Sequence, residues 1–407
     1  MERSGVFRIA VRKYPPFEQA IRAQWDAFEA EAKSGLALEL VALELHALEE
    51  SLFGSNGMRD GDWDVCFVAT DWIASMYAQG CAVDLAPLLK ADPPQDYPQG
   101  WTESLLRLQR VRDAVLGVPY HDGPECLIYR RDLFEDDVLR EAFEVEFGEA
   151  LTIPKSWEAF HRVARFMQRA GRGVYGTVFA AFPDGHNSVY DFLLQLWTRG
   201  GELFDADGAV RFETRAAAEA LTFYREMLTH DGAVHPECRA LDSVGAGMAF
   251  AAGQVAMMIN WFGFATMAHI SAESAVRGLV DVAELPHAAG VKTASLNVYW
   301  ILSMAVGSVH RDVSWQFLRH GLNPAMDKLT TMSGAIGCRR STWSDTEVNA
   351  AIPFYHRIEH LHAHAREIPQ RADWPRIAAV IDEMVTANIS GDVPVIQLLR
   401  QADAKVR

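Results

Sequence analysis

His356-Arg-Ile-Glu-His360 has the H-x-x-E-H spacing of inverted zinc peptidases, and His362 and His364 follow it. On a helix His356, His360 and His364 would share one face, where imidazoles can hold a divalent metal. A zinc peptidase needs a further protein ligand. None of Glu367, Asp373, Asp382, Glu383, Asp392 and Asp403 sits in a second motif. A polar helix face accounts for the cluster without a metal or cofactor, and a zinc hydrolase using His356, Glu359 and His360 stays a remote alternative. Gly171, Gly173 and Gly176 satisfy G-x-G-x-x-G, but a helical pattern precedes them and a strand pattern follows. Dinucleotide binding needs the reverse order, so these glycines read as a helix stop and a turn. No G-x-S-x-G elbow or Walker loop is present, and no catalytic residue is assigned.

Another chemistry is written at the predicted strand ends. Asp71-Trp72 follows DVCFVAT, Tyr120-His121-Asp122 follows LGVP, Asn260-Trp261-Phe262 follows VAMMI, and Asn297 to Trp300 lie in LNVYW. Sugars present apolar C–H faces and equatorial hydroxyls; aromatic rings cover the first, and Asp, Asn, Gln, Arg and His pair with the second. Several of these aromatics are expected in the core instead.

The elements that must position these groups alternate. Phe7–Val11, Ala37–Leu43 and Asp64–Ala69 are short apolar strands, and 17–32 is helical with Ile21, Trp25 and Phe28 on one face. Strands this apolar are covered on both faces, as in a parallel sheet with crossover helices. Further strands are predicted at 116–120, 126–131, 176–181, 280–285 and 299–305, with helices from Ser156 and over 214–229 and a largely helical stretch over 311–407. The uncharged run 244–268 reads as a buried helix then a buried strand, because Gly253, Gln254 and Asn260 interrupt it. In an open α/β sheet ligands sit outside the carboxyl ends of strands, where the aromatic clusters fall.

Composition narrows the partners. At 407 residues two lobes are expected. A net charge of −16 argues against nucleic acid and suits a soluble monomer. Cys66, Cys81, Cys126, Cys238 and Cys338 are scattered without a C-x-x-C pair, so buried thiols are expected rather than a disulfide framework.

Several segments, in order, resemble the extracellular solute-binding proteins of family 1, the maltose-binding-protein group. They are DGDWDVCFVATDWIASMYAQGCAVDLAPLL, LGVPYHDGPECLIYRRDLFED, TIPKSWEAF, GGELFDADG, MAFAAGQVAMMINWFG, VAELP and AIGCRR, covering about residues 6 to 345. The chain departs at Arg130-Arg131, where Asn-Lys is usual, and at Cys338, where a Pro is common. The resemblance implies a type II periplasmic-binding-protein fold: two α/β lobes, each a mostly parallel sheet flanked by helices, closing over a ligand by a hinge. The expected lobes are residues 1–118 with 262–309, and 119–261 with 310–407. It implies a non-enzymatic protein that captures a mono- or oligosaccharide and delivers it to the permease subunits of an ABC importer. Such a protein works in the periplasm or outside the cell, so an export signal is expected to have been removed, because MERSGVFRIAVRKYPP has no apolar run of signal length.

The ligand-binding residues expected on this reading are Lys13, Tyr14, Phe17, Asp71, Trp72, Tyr120, His121, Asp122, Tyr190, Asp191, Gln195, Trp261, Phe262, Asn297, Tyr299, Trp300 and Arg339. Trp72 and Trp261 are the stacking platforms, and Asp71, His121 and Arg339 the hydroxyl partners. Lys13, His121 and Arg339 could instead meet a carboxylate, which keeps an acidic sugar open. A polyamine, a metal or a phosphorylated compound is the alternative solute for the same fold.

Overall fold

A computed structural model describes residues 5–170, 173–229, 232–371 and 373–406. Its first strands are β1 (Val6–Arg12), β2 (Ala37–Leu43), β3 (Val65–Ala69), the short pair β4 (Arg110–Val111) and β5 (Ala114–Val115), β6 (Val118–His121) and β7 (Glu125–Arg130). Then come β8 (Tyr175–Val178), β9 (Val255–Trp261), β10 (Val280–Ala283), β11 (Ser295–Asn297), β12 (Trp300–Met304) and β13 (Ala365–Glu367). Internal contacts divide the chain into two compact units. Unit 1 is Met1–Gly123, Val298–His356 and Ile368–Ala372; unit 2 is Pro124–Asn297, Arg357–Glu367 and Asp373–Arg407.

Two long stretches group differently from the expected lobes, as do the short segments 119–123 and 368–372, which fall in unit 1. Residues 262–297 belong to unit 2, because the helix Phe262–Ile270 packs on β10, β7 and β9. Residues 310–356 belong to unit 1, where the helices Arg311–Gly321 and Pro324–Met332 pack on the helix Pro15–Ala32. Helical periodicity marks an apolar face but not which sheet or helix that face meets.

Unit 1 holds a five-stranded sheet in the order β2-β1-β3-β12-β6. β1 pairs parallel with β2 and β3, while β12 runs antiparallel to both β3 and β6. Four strands therefore point one way and only β12 opposes them. β3 is buried along its whole length, as an apolar strand covered on both faces must be. The helix Pro15–Ala32 buries Phe17, Ile21, Trp25 and Phe28; Trp25 stacks on Phe7 with centroids 4.8 Å apart. Its one deep polar group, Gln24, donates to Thr330 Oγ1 at 2.9 Å and accepts from Tyr120 Oη at 3.1 Å.

Unit 2 has a four-stranded sheet, β10-β7-β9-β8, in which β8 and β9 are parallel and β7 runs against its neighbours. The uncharged run 244–268 becomes the helix Ser243–Ala251, then β9, then the helix Phe262–Ile270. Among the described residues no helix is long and apolar enough to cross a membrane. Of the three glycines in GRGVYG, Gly171 lies outside the described residues. Gly173 has a left-handed φ of 74°, as a turn requires, and Gly176 is the second residue of β8, against the helix Trp157–Arg169. All five cysteines are buried free thiols.

Candidate functional site

Strand direction decides which side chains meet at the edge of unit 1. β1, β3 and β6 end at Arg12, Ala69 and His121, and the antiparallel β12 begins at Trp300, in register with Ala69 and His121. One rim therefore carries Lys13 and Tyr14, Asp71 and Trp72, His121 and Asp122, and Trp300. Phe17 joins it from the first turn of its helix. The rings interlock: Trp72 and Trp300 meet edge to face at 5.9 Å, Phe17 lies 6.3 Å from Trp300 and 4.6 Å from His121, and Tyr14 lies 4.9 Å from Phe17. Trp72 is buried beneath Phe53, whereas Trp300 keeps a half-exposed face. Edge-to-face packing fixes the plane of the Trp300 ring.

His121 is held neutral. Its Nδ1 accepts the Ile336 N–H at 2.8 Å, and burial pushes its pKa down to about 3, against the opposing pull of Asp122. It therefore serves this rim as an uncharged ring rather than as a cation for a carboxylate. Lys13 is exposed and ion-pairs with Glu44 at 2.9 Å.

The rim of unit 2 forms where β9 ends at Trp261, opposite Glu125 at the start of β7. The half-exposed Trp261 meets Tyr190 of the helix Asn187–Trp197 edge to face at 5.8 Å. Asp191 follows on that helix and accepts a hydrogen bond from Tyr224 Oη at 2.6 Å. Burial pushes the Asp191 carboxyl up to about 7, and the charge of Asp184 adds to the shift. Glu125 is driven well above the usual carboxylate range by burial and by Asp191. A protonated carboxyl both donates and accepts, which is what a sugar hydroxyl needs from a partner. Asn297, at the end of β11, is 2% exposed and neither polar atom of its amide has a hydrogen-bond partner. A buried amide left so costs free energy that a ligand hydroxyl or a water would recover.

Five of the expected site residues are elsewhere. Arg339 is 1% exposed. Its guanidinium donates to the carbonyls of Gln95 and Leu322 (3.0 and 2.8 Å), pairs with Asp96 at 3.0 Å and lies 4.4 Å over the Trp101 ring. Tyr299 is buried with its hydroxyl on the Leu105 carbonyl. Phe262 is wholly buried, Tyr120 is committed to Gln24, and the Gln195 carbonyl is taken by Arg199. Arg339, Tyr299 and Tyr120 face inward to partners far away in sequence, whereas Gln195 is held by Arg199 one helical turn on.

With two aromatic rims in place, the chain can be set beside known proteins. The family model for bacterial extracellular solute-binding proteins matches residues 14–328. This chain belongs to that family. Among solved structures, maltose-bound MalE3 of T. maritima superposes with a TM-score of 0.86 at 18% identity over 99% of both chains. A solute-binding protein of Agrobacterium radiobacter K84 in complex with ribitol gives 0.85 at 20% identity, covering 99% of this chain and 98% of that one. One from Agrobacterium vitis S4 with bound D-mannitol gives 0.84 at 18% identity, covering 98% and 97%. These are two-lobed periplasmic binding proteins, so this solute-binding protein has their fold. A candidate binding protein of Brucella abortus (strain 2308) is 23% identical over 267 residues, 63% of this chain. The match spans only 58% of that relative's length.

Sequence reasoning missed Glu125 and Tyr224 at the rim of this solute-binding protein. Glu125 had a local signal, a single acid opening the apolar run CLIY. Tyr224 had none, since its hydroxyl meets Asp191 from another helix.

Proposed function

We propose that this chain is a non-enzymatic receptor that captures a sugar or sugar alcohol outside the cytoplasm, after removal of an export signal, and presents it as a monomer to the permease of an ABC importer. The observation that carries the reading is the pair of rims, each with one half-exposed indole, Trp300 or Trp261, held edge-on by a neighbouring ring beside hydroxyl-matching groups. The maltose, ribitol and D-mannitol bound by structurally similar proteins are ligands of that chemistry. Trp300 and Trp261 stack on the C–H faces; Asp71, Asp122, Asp191, Glu125 and Asn297 take the hydroxyls. Tyr14, Phe17, Trp72 and Tyr190 hold the indoles in place.

One observation favours a second solute. The acids of the unit 2 rim would ionise beside a cation, so a protonated polyamine or amino sugar would be met by carboxylates at Asp191 and Glu125, their protons released to solvent. A thermal-shift panel of maltose, maltotriose, ribitol, mannitol and spermidine separates the two. Ligand at a hundredfold excess over its Kd stabilises the folded chain by about 2.7 kcal/mol. A shift with a sugar or polyol alone supports the first reading; a shift with spermidine alone overturns it.

A further inference from the structure

The histidine-rich segment makes a cluster different from the one its spacing predicts. The helical run that would align His356, His360 and His364 is broken, with a 3₁₀ turn at Tyr355–Arg357 and a short helix at Ile358–His362. His356 belongs to unit 1, where its backbone N–H donates to Asn349 Oδ1 at 2.9 Å. His360 and His364 belong to unit 2, and there they meet Glu284, just past the end of β10. Their Nε2 atoms lie 2.8 and 3.3 Å from the same carboxylate oxygen, Glu284 Oε1. Their rings are 5.2 Å apart at 84°. One ligand atom from each residue falls within 4.8 Å of the other two.

We infer that Glu284, His360 and His364 form a binding site for a divalent first-row transition metal of the zinc, nickel or copper class. Donors about 2.0–2.2 Å from a tetrahedral ion stand roughly 3.4 Å from one another. Two of the three separations are already close to that, and small rotations of the two rings supply the third. Two imidazoles and one carboxylate suit zinc, nickel or copper rather than magnesium or calcium, which prefer all-oxygen sites. His360 is 65% exposed and Glu284 40%, so water can complete the coordination shell.

The backbone that carries the ligands is anchored. β13 pairs in register with β11, the Ser295 N–H donates to the His364 carbonyl at 3.0 Å, and Arg357 bonds Asp281 and the Val282 carbonyl of β10. The first histidine follows Arg357 by three residues and the second precedes β13 directly. A metal here would clip the 357–367 segment to the end of β10. The inference is independent of the sugar-binding reading, because none of its three ligands belongs to either aromatic rim.

The test is isothermal titration of the full chain, without a histidine tag and stripped with chelator, with Zn²⁺ and Ni²⁺ at about pH 7.5, where imidazoles are neutral ligands. The expected result is one saturable site, with a rise in Tm on metal addition. His360→Ala and His364→Ala should each weaken binding by roughly tenfold or more, and Glu284→Gln should weaken it as well. His356→Ala should leave affinity unchanged. Absence of saturable binding, or binding that survives the His360→Ala/His364→Ala double variant with its circular dichroism intact, overturns the assignment.

Discussion

At the scale of single residues, geometry separates groups at the two rims from groups that hold the fold. Arg339 is the sharpest case. Its guanidinium is spent on Gln95, Leu322 and Asp96, so Arg339→Met strands two carbonyls. It should cost about 2–3 kcal/mol in denaturant unfolding while leaving the Kd for the ligand within about twofold. Asp191 makes a pH-dependent prediction. Burial keeps it protonated up to about pH 7, against an ordinary value of 3.8, so ionising it opposes folding. Its effect on stability is absent below about pH 4, grows as the pH rises, and is complete above about pH 7. Asp191→Asn can still accept from Tyr224. Variant and wild type should unfold alike near pH 4, and the variant should be the more stable near about pH 8, as urea titrations would read. Equal stability at both pH values would contradict the protonated carboxyl.

Residue-scale legibility followed strand ends. Trp72, Trp261 and His121 were readable because a strand pattern stops just before them or at them, and sheet direction then brings Trp72 and His121 to the edge of the unit 1 sheet and Trp261 to the edge of the unit 2 sheet. Tyr299 and Trp300 show the limit. Neighbours in extended chain point to opposite faces, so only the register with Ala69 and His121 tells which of the two reaches the rim. Glu284 was unreadable as a metal ligand because 76 residues separate it from His360.

At the scale of elements, close approach explains what the glycine motif is for. A Cβ at Gly176 would lie 2.0 Å from the carbonyl oxygen of Ala164, within the helix Trp157–Arg169 that covers β8. The third glycine therefore lets helix and strand touch rather than cradling a phosphate. Gly176→Ala should cost about 1–3 kcal/mol, since backbone and not a flexible side chain must give way. Thermal unfolding of the variant checks this; an unchanged Tm would contradict the packing. Strands were read well because apolar runs such as VCFVA have few alternatives. The breaks in the 355–364 segment were not, because its residues allow a continuous helix, and the stop comes from pairing of β13 with β11.

At the scale of the whole molecule, the order of segments from DGDWDVCFVAT to AIGCRR gave family and fold together. The assignment of helices to units was not written there: 262–297 and 310–356 carry apolar faces that fit either sheet until contacts are known. The five cysteines, all buried free thiols, add no crosslink. The central claim is that the half-exposed indoles Trp300 and Trp261 are binding surfaces for a polyhydroxylated solute. Calorimetric titration of the wild type, Trp300→Ala and Trp261→Ala with the best sugar or polyol from the panel tests it most directly. Each variant should stay folded and lose roughly tenfold or more in affinity, about 1.4 kcal/mol. Wild-type affinity retained by either folded variant would contradict the account.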